Sequence, residues 1–504
     1  MSVTGETNTL KARRLGLDTQ HETMVFVRKD SPVCRSEGFS AHSRVQLSND
    51  GRSIIATLYF ISPELLGEDE VGLSESAWRR LGVEPSTVLT ISHPRPLDSL
   101  GDVRAKIFGQ RFDETATMKI VTDIVEGHYS DIHLASFITA CSARSLDLSE
   151  TIALTRAMVD TGEHLAWSHS PIVDKHCVGG LPGNRTTPIV VSIIAAHGLT
   201  MPKTSSRAIT SPSGTANTME TLTCVNLTLD QMRDVIAQEY GCFVWGGSVR
   251  FSPSDDAMIR IERALDLDSE GIMIASVLSK KIAAGSSHLI IDIPVGPTAK
   301  VRSHEAAQSL RKNFETIARQ FGITVKVEIT DGSQPVGRGI GPALEARDVL
   351  AVLQNQAEAP GDLRERACQL AGSLLELVGK ATPKQGTLMA LDTLDSGEAW
   401  KKFQAICKAQ GGLKTPPIAQ HQRPVCAPHA GRITQIDNRR LGKAAKLAGA
   451  PADKAAGLYM HVRLGDVVQA GDPLYTLHTE SVGELTYVVD YVMANPGIIE
   501  ISAP

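Results

Sequence analysis

One stretch constrains this chain more than any other. Pro171-Ile172-Val173 reads as a short strand, and Pro188–His197 is a nearly continuous apolar run that reads as a helix. Between them lies Asp174-Lys175-His176-Cys177-Val178-Gly179-Gly180-Leu181-Pro182-Gly183-Asn184-Arg185-Thr186-Thr187. A Gly-rich turn from strand to helix lets the backbone approach an anion closely. The free N–H groups at the helix start, near Thr186 and Thr187, favour phosphate, and Lys175 adds a full charge. The order GxxxxGK[ST] is absent, so this is not a Walker A loop. A tight turn with no ligand is the plain alternative.

A second loop reinforces the first. Lys203-Thr204-Ser205-Ser206-Arg207-Ala208-Ile209-Thr210-Ser211-Pro212-Ser213-Gly214-Thr215 gathers hydroxyls, a Lys and an Arg ahead of the predicted helix TANTMETL. Hydroxyls and a guanidinium fork suit phosphate oxygens and sugar hydroxyls. Alone it could equally be a solvated Ser/Thr loop with a capping role. The third segment is Asp268-Ser269-Glu270-Gly271, followed by the helix IMIASVLSKKIAAG. Ser276 and Lys280 are four apart and share a helix face. Asp268 reads first as a helix cap, and Lys280-Lys281 as a solvated pair.

Around these loops the chain parses into four regions. Residues 1–95 carry short alternating strands (MVFVRK, SIIATLYFI) and form a small β-rich N-terminal domain. Residues 96–170 are helical, with apolar residues three and four apart. Residues 171–420 alternate strands (PIVDKH, HLIIDIPV, TVKVEIT) with helices, which predicts a large α/β domain with a mixed sheet. Residues 421–504 read as a small C-terminal α+β domain with Gly-Asp turns. The fold class is therefore multidomain α/β and α+β.

Composition excludes several functions. The 504 residues carry a net charge of −5, which argues against a broad nucleic-acid surface. The longest apolar run is too short to span a bilayer and contains His197, so no membrane partner is expected. The eight cysteines form no CxxC pair, and the N-terminus has no hydrophobic leader; a reducing cytoplasm is expected. No HxH or HExxH pair occurs, and neither a metal nor an organic cofactor is expected.

The DKHxxGG loop, the SSRAITSPSGT loop and the IASVLSKK helix, in that order, resemble the thymidine/pyrimidine-nucleoside phosphorylase family. The resemblance covers essentially the whole chain and is closest to the long (type 2) branch, which includes archaeal AMP phosphorylases and bacterial proteins assigned as thymidine phosphorylases and has an extra N-terminal domain. It implies a helical and an α/β lobe around a cleft, inorganic phosphate as co-substrate, and a homodimer or larger homo-oligomer assembled through the N-terminal domain. It implies phosphate contacts from Lys175, Thr187, Ser205 and Thr215. Substrate contacts fall on Gly180, on Ser206, Arg207, Ala208, Ile209, Thr210 and Ser211, and on Ser276, Lys280 and Lys300. Asp268 takes the position of the proton donor, and His176 is a second candidate because its unperturbed pKa is near neutral. Cys177 stands where short-form members have Ser, and Ile261 where they have a base-binding Arg. That departure and the hydroxyl-rich second loop favour a nucleoside 5′-monophosphate over thymidine.

Two other readings compete. An anthranilate-type phosphoribosyltransferase shares the plan but needs acidic residues for magnesium, and no DE pair flanks these loops. A non-catalytic nucleotide-binding regulator would use the same loops without turnover.

Overall fold

The computed structural model describes residues 8–208, 211–248, 251–267 and 269–502. The chain forms two compact units, Met1–Ala157 with Ala257–Ser269, and Met158–Asp256 with Glu270–Pro504.

The first unit opens with a closed six-stranded barrel built from Thr9–Arg14, Met24–Arg28, Arg44–Asn49, Arg52–Ile61, Glu70–Leu73 and Val88–Ser92. Alternation produces it: Val25 and Val27, Val45 and Leu47, and Ala56 and Leu58 are fully buried while most of their neighbours along each strand stay partly open. Closure leaves no free strand edge. Thr9–Arg14 pairs parallel with Glu70–Leu73, and Met24–Arg28 parallel with Arg52–Ile61.

Helices follow at Ser99–Ile107, Glu114–Val125, Asp131–Ala143 and Leu148–Asp160. The last begins at a reciprocal cap: Glu150 N donates to Asp147 Oδ1 at 3.0 Å, and Asp147 N donates to Glu150 Oε2 at 3.0 Å. The other Glu150 oxygen accepts from buried Lys106 Nζ at 2.6 Å and Phe112 N at 2.8 Å. This carboxylate therefore ties three segments together.

In the second unit, Thr324–Asp331, His288–Val295 and Val173–Cys177 form a parallel sheet. Met201–Ser205 and Gly241–Trp245 pair in parallel beside it, linked by a parallel bridge between Ile172 and Thr200. His288–Val295, the central strand, is buried on both faces, so HLIIDIPV reads as a run rather than an alternation. The helix Thr186–Ala196 is apolar all round because it is buried all round, packed against Gly361–Leu377 and Glu398–Ala409.

Parallel pairing has one consequence for function. The loops leaving Val173–Cys177, Met201–Ser205 and Gly241–Trp245 all emerge at the carboxyl edge of the strands, where open α/β sheets bind ligands. The C-terminal region adds two small antiparallel sheets, centred on Pro473–Thr479 and Gly431–Ile436, with helices Asn438–Leu447 and Val482–Ala494. No helix among the described residues is long and apolar enough to cross a membrane. All eight cysteines are free thiols.

Candidate active site

The three loops at the carboxyl edge enclose a cavity of about 220 Å³ within the second unit. The first loop turns on glycines: Gly179, Gly180 and Gly183 have φ of +87°, +80° and +69°. Gly180 cannot be larger, because a Cβ there would lie 2.5 Å from the Lys300 backbone nitrogen. Lys300 thus abuts the loop, although it does not line the cavity. The loop delivers Thr187 to the cavity wall in the first turn of the helix Thr186–Ala196, whose first N–H groups have no partner within the helix.

Beneath the loop lies a buried charge network. Asp174 accepts from Lys203 Nζ at 2.9 Å and from Lys281 Nζ at 2.6 Å. Lys203 also donates to the Lys175 carbonyl at 2.6 Å. Lys175 donates to Thr186 Oγ1 at 2.8 Å and lies 3.9 Å from Asp292. Asp292 is held in turn by Thr330 at 2.6 Å and Asn184 at 3.2 Å. Three lysine side chains thus face two carboxylates, all buried.

This field sets the protonation of its neighbours. Burial would raise the Asp174 pKa, but the Lys203 and Lys281 ammoniums overcome it and hold the carboxyl below its ordinary value. Burial brings Lys281 down to about 7 against the pull of Asp174. His176 lies well below its ordinary value, first through burial and then through Lys281, Lys203, Lys280 and Lys175. It therefore stands as a neutral imidazole at neutral pH, able to donate one hydrogen bond. Burial and Asp292 push the Cys177 thiol up to about 12, and the thiol accepts from Asn184 Nδ2 at 3.4 Å.

Arg185 joins the first two loops. Its Nε donates to Glu345 at 2.7 Å, one terminal nitrogen to Thr215 Oγ1 at 2.8 Å, and the other to the Ser213 carbonyl at 2.9 Å. Burial raises the Glu345 carboxyl, which Arg185 and Thr218 partly offset. The second loop folds back on itself: Asn217 Oδ1 accepts from Ala208 N at 2.6 Å and from Gly214 N at 3.1 Å, and Ser211 Oγ donates to the Ser213 carbonyl at 2.9 Å. Arg207 pairs with Glu220 at 2.8 Å and stacks 4.2 Å above the ring of Trp245, which lines the cavity. On the helix Glu270–Ala283, Lys280 Nζ bridges Asp255 Oδ2 at 2.8 Å and Ser276 Oγ at 3.0 Å.

The expected residues sort by place. Lys175, His176, Gly180, Thr187, Ser205, Ser206, Ser211, Thr215 and Lys280 line one cavity. Arg207, Ala208, Ser276 and Lys300 do not line it. Asp268, Ile209 and Thr210 lie outside the described residues.

The Lys280-Lys281 pair is not solvated. Lys281 continues the buried stripe of Ile274, Val277 and Leu278 and ends on Asp174, while Lys280 faces the cavity. That stripe was the available signal. The sequence reading did not single out Asp174, Arg185, Trp245, Asp255 or Asp256 as site groups, and it read Lys203 only as one cation of the second loop. The Asp256 carboxyl opens onto the cavity and is pushed up to about 6, by the surrounding protein and then by Asp255.

Three family models match the chain in order: the glycosyl transferase family helical bundle domain at residues 103–162, the glycosyl transferase family a/b domain at 169–400, and the pyrimidine nucleoside phosphorylase C-terminal domain at 432–498. The chain is 56% identical over 495 residues to "Putative thymidine phosphorylase 2" of Acidovorax sp. (strain JS42), covering 98% of this chain and 96% of that one. It is also 56% identical over 499 residues to "Putative thymidine phosphorylase" of Chelativorans sp. (strain BNC1), covering 99% and 98%. The chain belongs to the thymidine/pyrimidine-nucleoside phosphorylase family. It is accordingly a glycosyltransferase with nucleoside phosphorylase activity.

Two solved structures share the phosphorylase's fold. Anthranilate phosphoribosyltransferase from Thermus thermophilus aligns with a TM-score of 0.50 at 19% identity, covering 61% of this chain and 98% of that one. The Saccharomyces cerevisiae enzyme, in complex with PRPP and Mg, aligns with a TM-score of 0.51 at 14% identity, covering 62% and 98%. These likenesses concern architecture alone.

Proposed function

We propose that this phosphorylase cleaves nucleoside 5′-monophosphates with inorganic phosphate, giving the free base and ribose 1,5-bisphosphate. The observation that carries the reading is the second loop. Ser205 and Thr215 provide the hydroxyls that one phosphate needs, and Ser206, Ser211 and Ser213 line the same cavity beyond them. Ser206 offers a further hydroxyl to a second phosphoryl group, which a nucleoside lacks, while the Ser211 and Ser213 hydroxyls are bonded within the loop and its helix.

The chemistry follows from the buried charges. Phosphate held by Lys175, Thr187 and the adjoining helix start attacks the anomeric carbon on the face opposite the base. The C1′–O bond forms as the C1′–N bond breaks, through a transition state of oxocarbenium character. A dianion beside that cation is both nucleophile and stabiliser. The departing base takes a proton, and Asp268 is assigned to deliver it. His176, neutral among four ammonium groups, acts as a hydrogen-bond donor to the phosphate rather than as the acid. Assembly into a homodimer or larger homo-oligomer is part of the proposal; a monomeric mass by light scattering would count against it.

A second reading, phosphorolysis of thymidine, is favoured by the names that the relatives carry. The test is release of free base from AMP, CMP, UMP and thymidine, with and without phosphate. Phosphate-dependent release from a monophosphate but not from thymidine supports the proposal. Release from thymidine alone overturns it.

A further inference from the structure

The segment Phe251–Asp256, which opens the helix Pro253–Leu265, carries polar atoms that the reaction outlined above does not use. Asp255 is only 2% exposed, and its Oδ2 pairs with Lys280. Its Oδ1 is buried with no hydrogen-bond partner among the described residues. The Ser252 hydroxyl, on the same segment, is in the same condition. Both residues line the cavity. A buried carboxylate oxygen left unpaired is expensive, and the expense vanishes when a ligand supplies a donor.

The surroundings define that donor. Phe251 and Trp245, beside this segment, also line the cavity and make its wall aromatic. Lys280 beside Asp255 supplies a fixed ammonium, held by Asp255 and Ser276. An acceptor next to a donor matches a nucleobase edge, where an N–H sits beside a ring nitrogen or carbonyl oxygen. We propose that Asp255 is a specificity-determining residue: Oδ2 fixes Lys280, and Oδ1 accepts an N–H from the base edge whose neighbouring acceptor Lys280 contacts. The assignment rests on the nucleotide phosphorylase reading for its substrate but on the orphaned oxygen for its chemistry. It also supplies a partner for the base in a chain that has Ile261 where short-form members have Arg.

The experiment compares substrates with and without the donor. AMP is set against purine riboside 5′-monophosphate, and CMP against 2-pyrimidinone riboside 5′-monophosphate, each pair differing by the exocyclic amine. Both pairs are assayed with wild type and with Asp255→Asn. The wild type is expected to favour the donor-bearing member of the pair it cleaves by roughly 10- to 100-fold in kcat/KM. Asp255→Asn is expected to lose most of that ratio, chiefly through a raised KM for the parent. Taking the ratio in both proteins cancels the intrinsic difference between leaving groups.

An unchanged ratio in the variant overturns the proposal. So does a variant that instead loses discrimination between ribo- and 2′-deoxyribonucleotides, because that outcome places the donor on the sugar. If the Asn variant does not fold, equal wild-type kcat/KM within a pair is sufficient to overturn it. Cleavage of thymidine in place of every monophosphate overturns only the substrate reading. The same ratio is then taken between thymidine and its N3-methyl analogue.

Discussion

Replacing Asp174 with Asn isolates the buried network. In the native chain one carboxylate serves two ammoniums, Lys203 at 2.9 Å and Lys281 at 2.6 Å. An Asn side chain offers one acceptor and one NH2, so it satisfies one lysine and turns a donor toward the other. Removing one partner of a buried ion pair costs about 3–5 kcal/mol. The loss should depend on pH, and the sign follows from Lys281. Its folded pKa, about 7, is below the ordinary value, so the unfolded chain binds more protons between about 7 and 10.5, and stability from this group rises with pH there. Without Asp174 the folded value falls further, which extends that window downward. Below pH 7 the variant then loses about 1.4 kcal/mol more per pH unit from this one proton. Trp167, Trp245 and Trp400 lie in the second unit, so urea unfolding followed by tryptophan fluorescence reports on it. The variant should lose the full amount at pH 6 and about 1–2 kcal/mol less at pH 8. Native-like stability at pH 6, or a greater loss at pH 8, would refute the reasoning.

Other substitutions probe the loops. Gly180→Ala places a Cβ against the Lys300 backbone at a φ of +80°, and should lower kcat/KM about 100-fold without unfolding the protein, as steady-state assays and circular dichroism would show. Arg185→Lys cannot keep the fork to Glu345, Thr215 and Ser213, and should raise KM for phosphate about tenfold; an unchanged KM argues that the fork is only structural. Iodoacetamide at pH 8 should label exposed Cys426 well before Cys177, whose thiol sits near 12; peptide mapping checks the order. Asp268→Asn should cut kcat about 100-fold or more with little change in KM, and retained turnover removes it from the acid role.

Local pattern carried much of the fold. HLIIDIPV coincides with the strand His288–Val295 because a strand buried on both faces shows as an apolar run. The helix after the first loop starts at Thr186, where Thr186 and Thr187 precede the apolar segment. What could not be read depends on distance along the chain. Asp174 meets Lys203 and Lys281, 29 and 107 positions away, and nothing local marks a carboxylate shared by two lysines. Arg185 reads as a loop residue until Glu345, 160 positions on, comes beside it. The parallel pairing of Thr9–Arg14 with Glu70–Leu73 is equally non-local. Strand alternation at the N-terminus therefore predicts a β-rich region but not its closure into a barrel.

Phosphorus NMR of the purified protein incubated with inorganic phosphate and AMP, CMP, UMP or thymidine tests the central claim most directly. The account predicts two resonances of equal area from one new product, an anomeric phosphate ester and a 5′-phosphate ester, growing as free base appears. A single anomeric phosphate, formed only when thymidine is supplied, would contradict it.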